Sequence, residues 1–228
     1  MSHTMRRYVL LLAIMTLGWL PVVQAATGDE SDLCAPFMDG KVDDTVISSM
    51  LKAAKDGYLY RIRKDSSRVG FCVDSEVKRV EATFHDFQGG VALTPANWVA
   101  RDQQAMMVIR TASLDTRGSV IEDLIKSKRF FDVERYPEIL FVSQRFEWLG
   151  NDKARIHGEL TVHGVTRPVA LDVTLVPEHK RDAGGEDSIL IKASTVIRRS
   201  DYGMDNLSAL VSDQVKLCMT VEVVRYRG

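Results

Sequence analysis

The strongest constraint in the chain is a period of two. In residues 154–176, ARIHGELTVHGVTRPVALDVTLV, the side chains Ile156, Leu160 and Val162 alternate with polar ones. His163-Gly164 then turns the chain, and Val169, Leu171, Val173 and Leu175 alternate again. Successive strand residues point to opposite faces, so this is a hairpin with one buried and one wet face. The same period recurs in RVGFCVDSEVKRVEATF, where Val69, Phe71 and Val73 share a face opposite Cys72. It recurs in QVKLCMTVEVVRYR, where Val215, Leu217, Met219, Val221 and Val223 lie opposite Lys216, Cys218, Thr220 and Glu222. About eight or nine such strands, broken at signals such as FQGG, WLGND and RDAGGED, predict an antiparallel all-β sandwich or closed barrel. HKRDAGGEDS reads as a hairpin loop.

Two segments have helical period instead. In DDTVISSMLKAAKDG, Val46, Ile47, Met50, Leu51 and Ala54 form one face, Asp43 or Asp44 can cap, and Gly57 stops the helix. In GSVIEDLIKSKRF, Val120, Leu124 and Ile125 are placed on one side. This second helix should end near Lys128; Pro137 then forces Tyr136 out of the helical region and launches a strand near Ile139. Phe130, Phe131 and Tyr136 lie between, an aromatic plug for the open end of a barrel or its interior.

The first 25 residues have a different character. Arg6 and Arg7 precede the apolar run YVLLLAIMTLGWL, Pro21 breaks it, and VQA ends at Ala25. That is the pattern of a cleaved secretory signal peptide, with an uncleaved anchor as the weaker alternative. Residues 1–25 are thus expected to be removed, 26–57 to form a leader carrying the first helix, and 58–228 to form one domain. Removing two arginines makes the formal charge of −1 slightly more negative, so there is no bulk attraction to nucleic acid or an anionic surface.

Chemistry is sparse. No Gly-x-Ser-x-Gly elbow, glycine-rich phosphate loop or zinc signature occurs. His157 and His163 share strand parity but lie about 20 Å apart at strand rise, too far to share a metal. The cysteines Cys34, Cys72 and Cys218 lack metal-ligand spacing and allow one bridge by any of three pairings in an oxidising compartment.

The ordered set YRIRKDSSRVGFCV, ATFHDFQGGV, ASLDT, LIKSKRFFDVERYPEILFVS, HGELTVHGVTRPVALDV and IRRSDYGMD…LVSDQVKL resembles the YceI-like, polyisoprenoid-binding family. The resemblance runs from about Tyr60 to Val224. It implies an exported, periplasmic protein with an extended lipocalin-like antiparallel β-barrel of about eight strands. An isoprenoid or quinone-like amphiphile would occupy its interior, for carriage, storage or scavenging. No cofactor or metal is required. The partners are the lipid itself and a membrane or quinone donor or acceptor, with a homodimer left open. An enzyme acting on bound lipid and a stress or interaction protein with a filled core are the rival readings.

For such a site the inward positions Phe71, Phe84, Met107, Ile109, Leu160, Val162, Leu171 and Leu217 are the candidate lining, joined by Phe130, Phe131 and Tyr136. EILFVSQRFEW is apolar on both parities, and only the family pattern selects Phe141. Head-group candidates are Arg110, Arg199, Asp201 and Tyr202, although Arg199 and Asp201 could instead pair to hold a turn. Two features depart from the family. Ser66 stands where a histidine is usual before Ser67, and the first helix and the three cysteines are additional. Cys72 and Cys218 fall on outward parity of strands that neighbour each other in a closed barrel. One of them is expected to bridge to Cys34, with a direct Cys72–Cys218 bond as the alternative.

Overall fold

The computed structural model describes residues 42–93, 103–176 and 188–227. The expected signal peptide, Cys34, and most of HKRDAGGEDS lie outside these residues.

Helix α1 spans Asp44–Lys55. Asp43 caps it: its carboxylate accepts from the Thr45 amide at 2.8 Å and the Thr45 hydroxyl at 2.5 Å. These bonds hold the Asp43 carboxyl below its ordinary pKa, the hydroxyl contributing most. Gly57 ends the helix with φ +76°, in the left-handed region.

The strands follow in order: β1 Leu59–Ser75, β2 Val80–Phe84, β3 Phe87–Ala92, β4 Gln104–Arg110, β5 Leu114–Thr116, then α2 Ser119–Lys126, and β6 Glu138–Trp148, β7 Lys153–Val162, β8 Val165–Val176, β9 Ser188–Arg198 and β10 Val211–Arg225. Hydrogen bonding runs β10-β9-β8-β7-β6-β4-β3-β1-β2-β5, and β10 returns to β1. The first part of β1 pairs with β3 (Leu59 opposite Ala92) and its later part with β2 (Val69 opposite Phe84). Thus β2 and β3 are two halves of one bent strand, as are β4 and β5 on either side of a single 3-10 turn at Thr111–Ser113. The result is a closed antiparallel barrel of eight staves. This is the expected barrel rather than a sandwich.

Closure rests on β1 against β10, from Tyr60 opposite Arg225 to Ser75 opposite Val211. A bulge interrupts this ladder between Arg63 and Arg68. Ser67 fills it: its hydroxyl donates to the Arg63 carbonyl at 2.6 Å and accepts from the Glu222 amide at 3.0 Å. Ser66, at the position of the family histidine, is exposed on the bulge.

FQGG is a strand, not a turn. Phe87–Ala92 forms β3 between β1 and β4, and the glycines serve close approach: a Cβ on Gly89 would collide with the Met106 carbonyl. The second helix also differs from the expected pattern. It ends at Lys126, Ile121 and Leu124 line the interior, and Val120 is 80% exposed.

Helix α1 packs on the outside of the barrel. Val42, Ile47, Met50 and Ala54 bury against Leu59, Ala92, Met106, Val108 and Leu140. Here β4 and β6 are apolar on both faces, one turned to the interior and one covered by the helix. A bulge between Ser143 and Arg145 then switches the inward parity of β6 from Phe141 to Phe146 and Trp148. This is why EILFVSQRFEW shows no clean alternation.

Candidate functional site: an apolar cavity in the barrel

The staves enclose a cavity of about 460 Å³. Such a volume falls within the range of small-molecule sites. Alternate residues of nearly every stave point into it, because strand side chains alternate and the barrel has one inside. Its walls are almost wholly aliphatic and aromatic; among the described residues the ionisable lining side chains are Lys78 and Arg199.

Of the lining candidates, Phe71, Phe84, Met107, Ile109, Phe130, Phe131, Phe141, Leu160, Val162, Leu171 and Leu217 all face the cavity. Phe131 is 8% exposed and sits between Phe71 and Phe84, with ring centroids 5.9 and 6.1 Å away. It reaches there because the chain folds back after α2: the Phe131 amide donates to the Ile125 carbonyl, and Asp132 adopts φ +45°.

Tyr136 is a correction. It turns away from the interior to pack against His163 at a tilt, centroids 4.4 Å apart, and fills the space where Gly164 lacks a Cβ. A Cβ on Gly164 would stand 2.5 Å from the Tyr136 ring, and the residue's φ of +73° independently suits glycine. The Tyr136–His163 pair therefore braces the β7–β8 turn from outside.

The head-group candidates separate. Arg110 points outward, is exposed and pairs with Glu138 on the neighbouring strand, so it does not reach the cavity. Asp201 is exposed and away from the cavity lining; its carbonyl accepts from Arg167 at 3.1 Å. It does not hold Arg199. That guanidinium, 4% exposed, instead donates to the backbone carbonyls of Ser212 (3.0 Å), Asn206 (2.8 Å), Val211 (2.9 Å) and Met204. It also lies over the Phe130 ring at 5.8 Å while lining the cavity. Tyr202 is 2% exposed, and burial pushes its phenol up to about 12, with Asp201 adding to the effect.

Asp213 secures this corner. Its carboxylate accepts from the Ser200 amide at 2.9 Å, the Ser200 hydroxyl at 2.9 Å and Arg198 at 3.0 Å. Those contacts, the Ser200 amide first, hold its carboxyl below the usual range.

Among the described residues no three of His, Cys, Asp and Glu gather as a metal site. His85 contacts Asp115 at 3.4 Å, His157 contacts Glu147 at 3.1 Å, and His163 Nδ1 lies 3.2 Å from the Tyr202 carbonyl. Cys72 and Cys218 form no disulfide with each other; Cys218 sits opposite Gly70, two residues along β1 from Cys72 on the same outer face. They are diagonal rather than facing neighbours, a separation at the upper limit for a bridge. The direct Cys72–Cys218 bond is thus absent, and the Cys72 sulfur instead accepts from Arg79 at 2.6 Å.

Several lining residues were not anticipated. Phe146 and Trp148 were hidden by the β6 bulge; Ile121, Leu124 and Met204 come from α2 and the β9–β10 connection, where strand parity does not apply.

The YceI-like domain model matches residues 60–223. A UPF0312 protein of Pseudomonas putida strain GB-1 is 32% identical over 151 residues, covering 65% of this chain and 75% of the relative. A UPF0312 protein of Photorhabdus laumondii is 32% identical over 143 residues, covering 63% and 72%. Among solved structures, BcnA of Burkholderia cenocepacia superposes with TM-score 0.63 at 24% identity, over 71% of this chain and 98% of that one. A polyisoprenoid-binding domain from Saccharophagus degradans, implicated in plant cell wall breakdown, superposes with TM-score 0.57 at 16% identity, over 73% and 98%. By the span of the domain match, and by a barrel that the solved structures share, this chain belongs to the YceI-like family.

Proposed function

We propose that the protein is an exported carrier that holds an isoprenoid lipid, or a quinone-like amphiphile, inside its barrel. The observation that carries this reading is the continuous apolar cavity of about 460 Å³. A polyisoprene chain offers only apolar surface, so its affinity must come from area removed from water, about 25 cal/mol per Å². A lined tunnel supplies that, and a polar constellation does not. The binding of polyisoprenoid by the Saccharophagus domain, which has a similar fold, supports the same ligand class.

In this reading Arg199 serves the ligand's head group. The hydrogen bonds described for its guanidinium run to neutral carbonyls, so an anionic head at the cavity would supply its counter-charge. The signal-peptide pattern of residues 1–25 supports export to the periplasm, and a bridge from Cys72 or Cys218 to Cys34 would then tie the leader to the barrel.

The test is native mass spectrometry, with lipid extraction, of protein purified from its own source. A co-purifying isoprenoid is expected; a protein that neither retains one nor takes up an added prenol would overturn the proposal. In the same assay Arg199→Ala should weaken ligands with anionic heads and spare neutral quinones. Equal losses for both would remove Arg199 from this role.

A further inference from the structure

Three chain segments meet where the cavity opens. The β1–β2 hairpin contributes Ser75, Val77 and Lys78 to the lining, α2 and its following loop contribute Leu124 and Phe130, and the β9–β10 connection with the start of β10 contributes Met204 and Val211. Two hydrogen bonds knit them: the Glu76 amide to the Leu210 carbonyl at 3.0 Å, and the Asn206 side-chain amide to the Arg129 carbonyl at 2.7 Å. Val77 lines the cavity yet is 90% exposed, which marks this end as a mouth.

Among the described residues, four of the six large exposed apolar side chains lie on these segments; Leu149, after β6, and Val196, within β9, lie elsewhere. Besides Val77, the four include Val120 at 80%, in the first turn of α2. Leu210 is 55% exposed and Leu207 38% exposed. Leu207 also holds φ +56°, a strained conformation for a leucine. Three valine and leucine segments around one opening are more than scattered surface hydrophobes.

Cations flank two of these tips. Lys78 and Arg79 follow Val77, and Lys128 and Arg129 precede Phe130. Arg79 is engaged by Cys72 and Asp74, whereas the Lys78, Lys128 and Arg129 side chains show no acidic partner among the described residues. Glu76, Asp123 and Asp205 are nearby acids on the same segments, so the rim is not a strongly cationic patch. Apolar tips with adjacent snorkelling cations are the pattern of a surface that enters the acyl boundary while its charges stay at phosphate level.

We propose that this rim docks on a phospholipid bilayer, so that a lipid passes between membrane and cavity without crossing water. The proposal rests on the lipid-carrier reading for its purpose but has its own observable. Docking should be driven mainly by Val77, Val120, Leu207 and Leu210, with the cations a salt-sensitive addition.

The experiment is co-sedimentation of the purified protein with vesicles of phosphatidylcholine and phosphatidylglycerol in equal parts. Val120→Asp and Leu210→Asp change exposed side chains that do not line the cavity; their thermal midpoints and their retention of an isoprenoid loaded from detergent should match wild type. Each should lower the vesicle-bound fraction by about tenfold, the scale of withholding one buried aliphatic side chain. Transfer of the isoprenoid from vesicle to protein should slow in parallel. Wild-type protein that ignores vesicles, variants that bind them as well as wild type, or substitutions that alter only self-association would each overturn the proposal. Vesicle binding without lipid retention would instead strike the carrier reading and leave the docking rim standing.

Discussion

Two arcs of the same barrel wall are built differently. The arc of β3, β4 and β6 is apolar on both faces, with the cavity on one side and α1 on the other. The arc from β7 to β10 is apolar inside and polar outside, where pairs such as Arg155–Asp172 stand in solvent. Both arcs line the cavity, so ligand contact does not distinguish them. What α1 adds is a second buried layer, and with it stability that does not depend on what fills the interior. The cavity is tolerated because part of its wall is secured from behind.

The sharpest way to break this contrast is to charge the covered layer. Met50, on the barrel-facing side of α1, is 3% exposed, and Met50→Asp buries a carboxylate without a partner. We expect a loss of more than about 4 kcal/mol or detachment of the helix, read by denaturant unfolding and by faster amide exchange in β4 and β6. An unchanged midpoint would remove α1 as a structural cover.

A second effect sits at the corner of the uncovered arc. The Tyr202 phenol ionises near pH 12 when folded and near its ordinary value of 10 when unfolded. Between these values the folded state binds more protons, so stability falls as pH rises from 10 to 12. The full difference is at most about 2.7 kcal/mol, present below pH 10. Tyr202→Phe should flatten this part of the stability–pH curve; an unaltered slope would mean that the phenol is better solvated than its burial indicates.

Leu160→Trp sharpens the separation of stability from binding. It enlarges an inward side chain beside empty volume, so it should shift stability by less than about 1.5 kcal/mol. Isoprenoid retention should nonetheless fall about tenfold, measured by native mass spectrometry. The smallest effect is on the polar outer face: Asp172→Asn breaks an exposed pair at 2.8 Å and should change stability by no more than about 0.5 kcal/mol.

Legibility in the sequence follows the same division. β7, β8 and β10 face solvent outside, so alternation reveals both the strand and its inward residues, from Leu160 to Leu217. β6 loses the signal twice, because α1 makes its outer face apolar and the bulge after Ser143 reverses parity. Arg110 was misplaced as a head-group candidate although the inward Met107 and Ile109 already set its parity outward. Tyr136 reads with Phe130 and Phe131 as a plug for the open end or the interior, whereas its seat depends on Gly164, a long-range fit that no local pattern encodes. Arg199 was legible as an important residue but not in its partners. Its acceptors are backbone carbonyls, and composition is silent about where a carbonyl points.

The seam between β1 and β10 carries a kinetic consequence. Tyr60 and Arg225 are 165 residues apart in the chain yet meet across the closing ladder. The barrel cannot shut until its last strand is available, and every earlier intermediate leaves open the edges that this pairing seals. Contacts so distant in sequence make folding slow relative to a helical protein of equal stability. A chain that loses β10 is therefore an open sheet with two unsatisfied edges, primed to pair with its own kind, rather than a slightly weaker barrel.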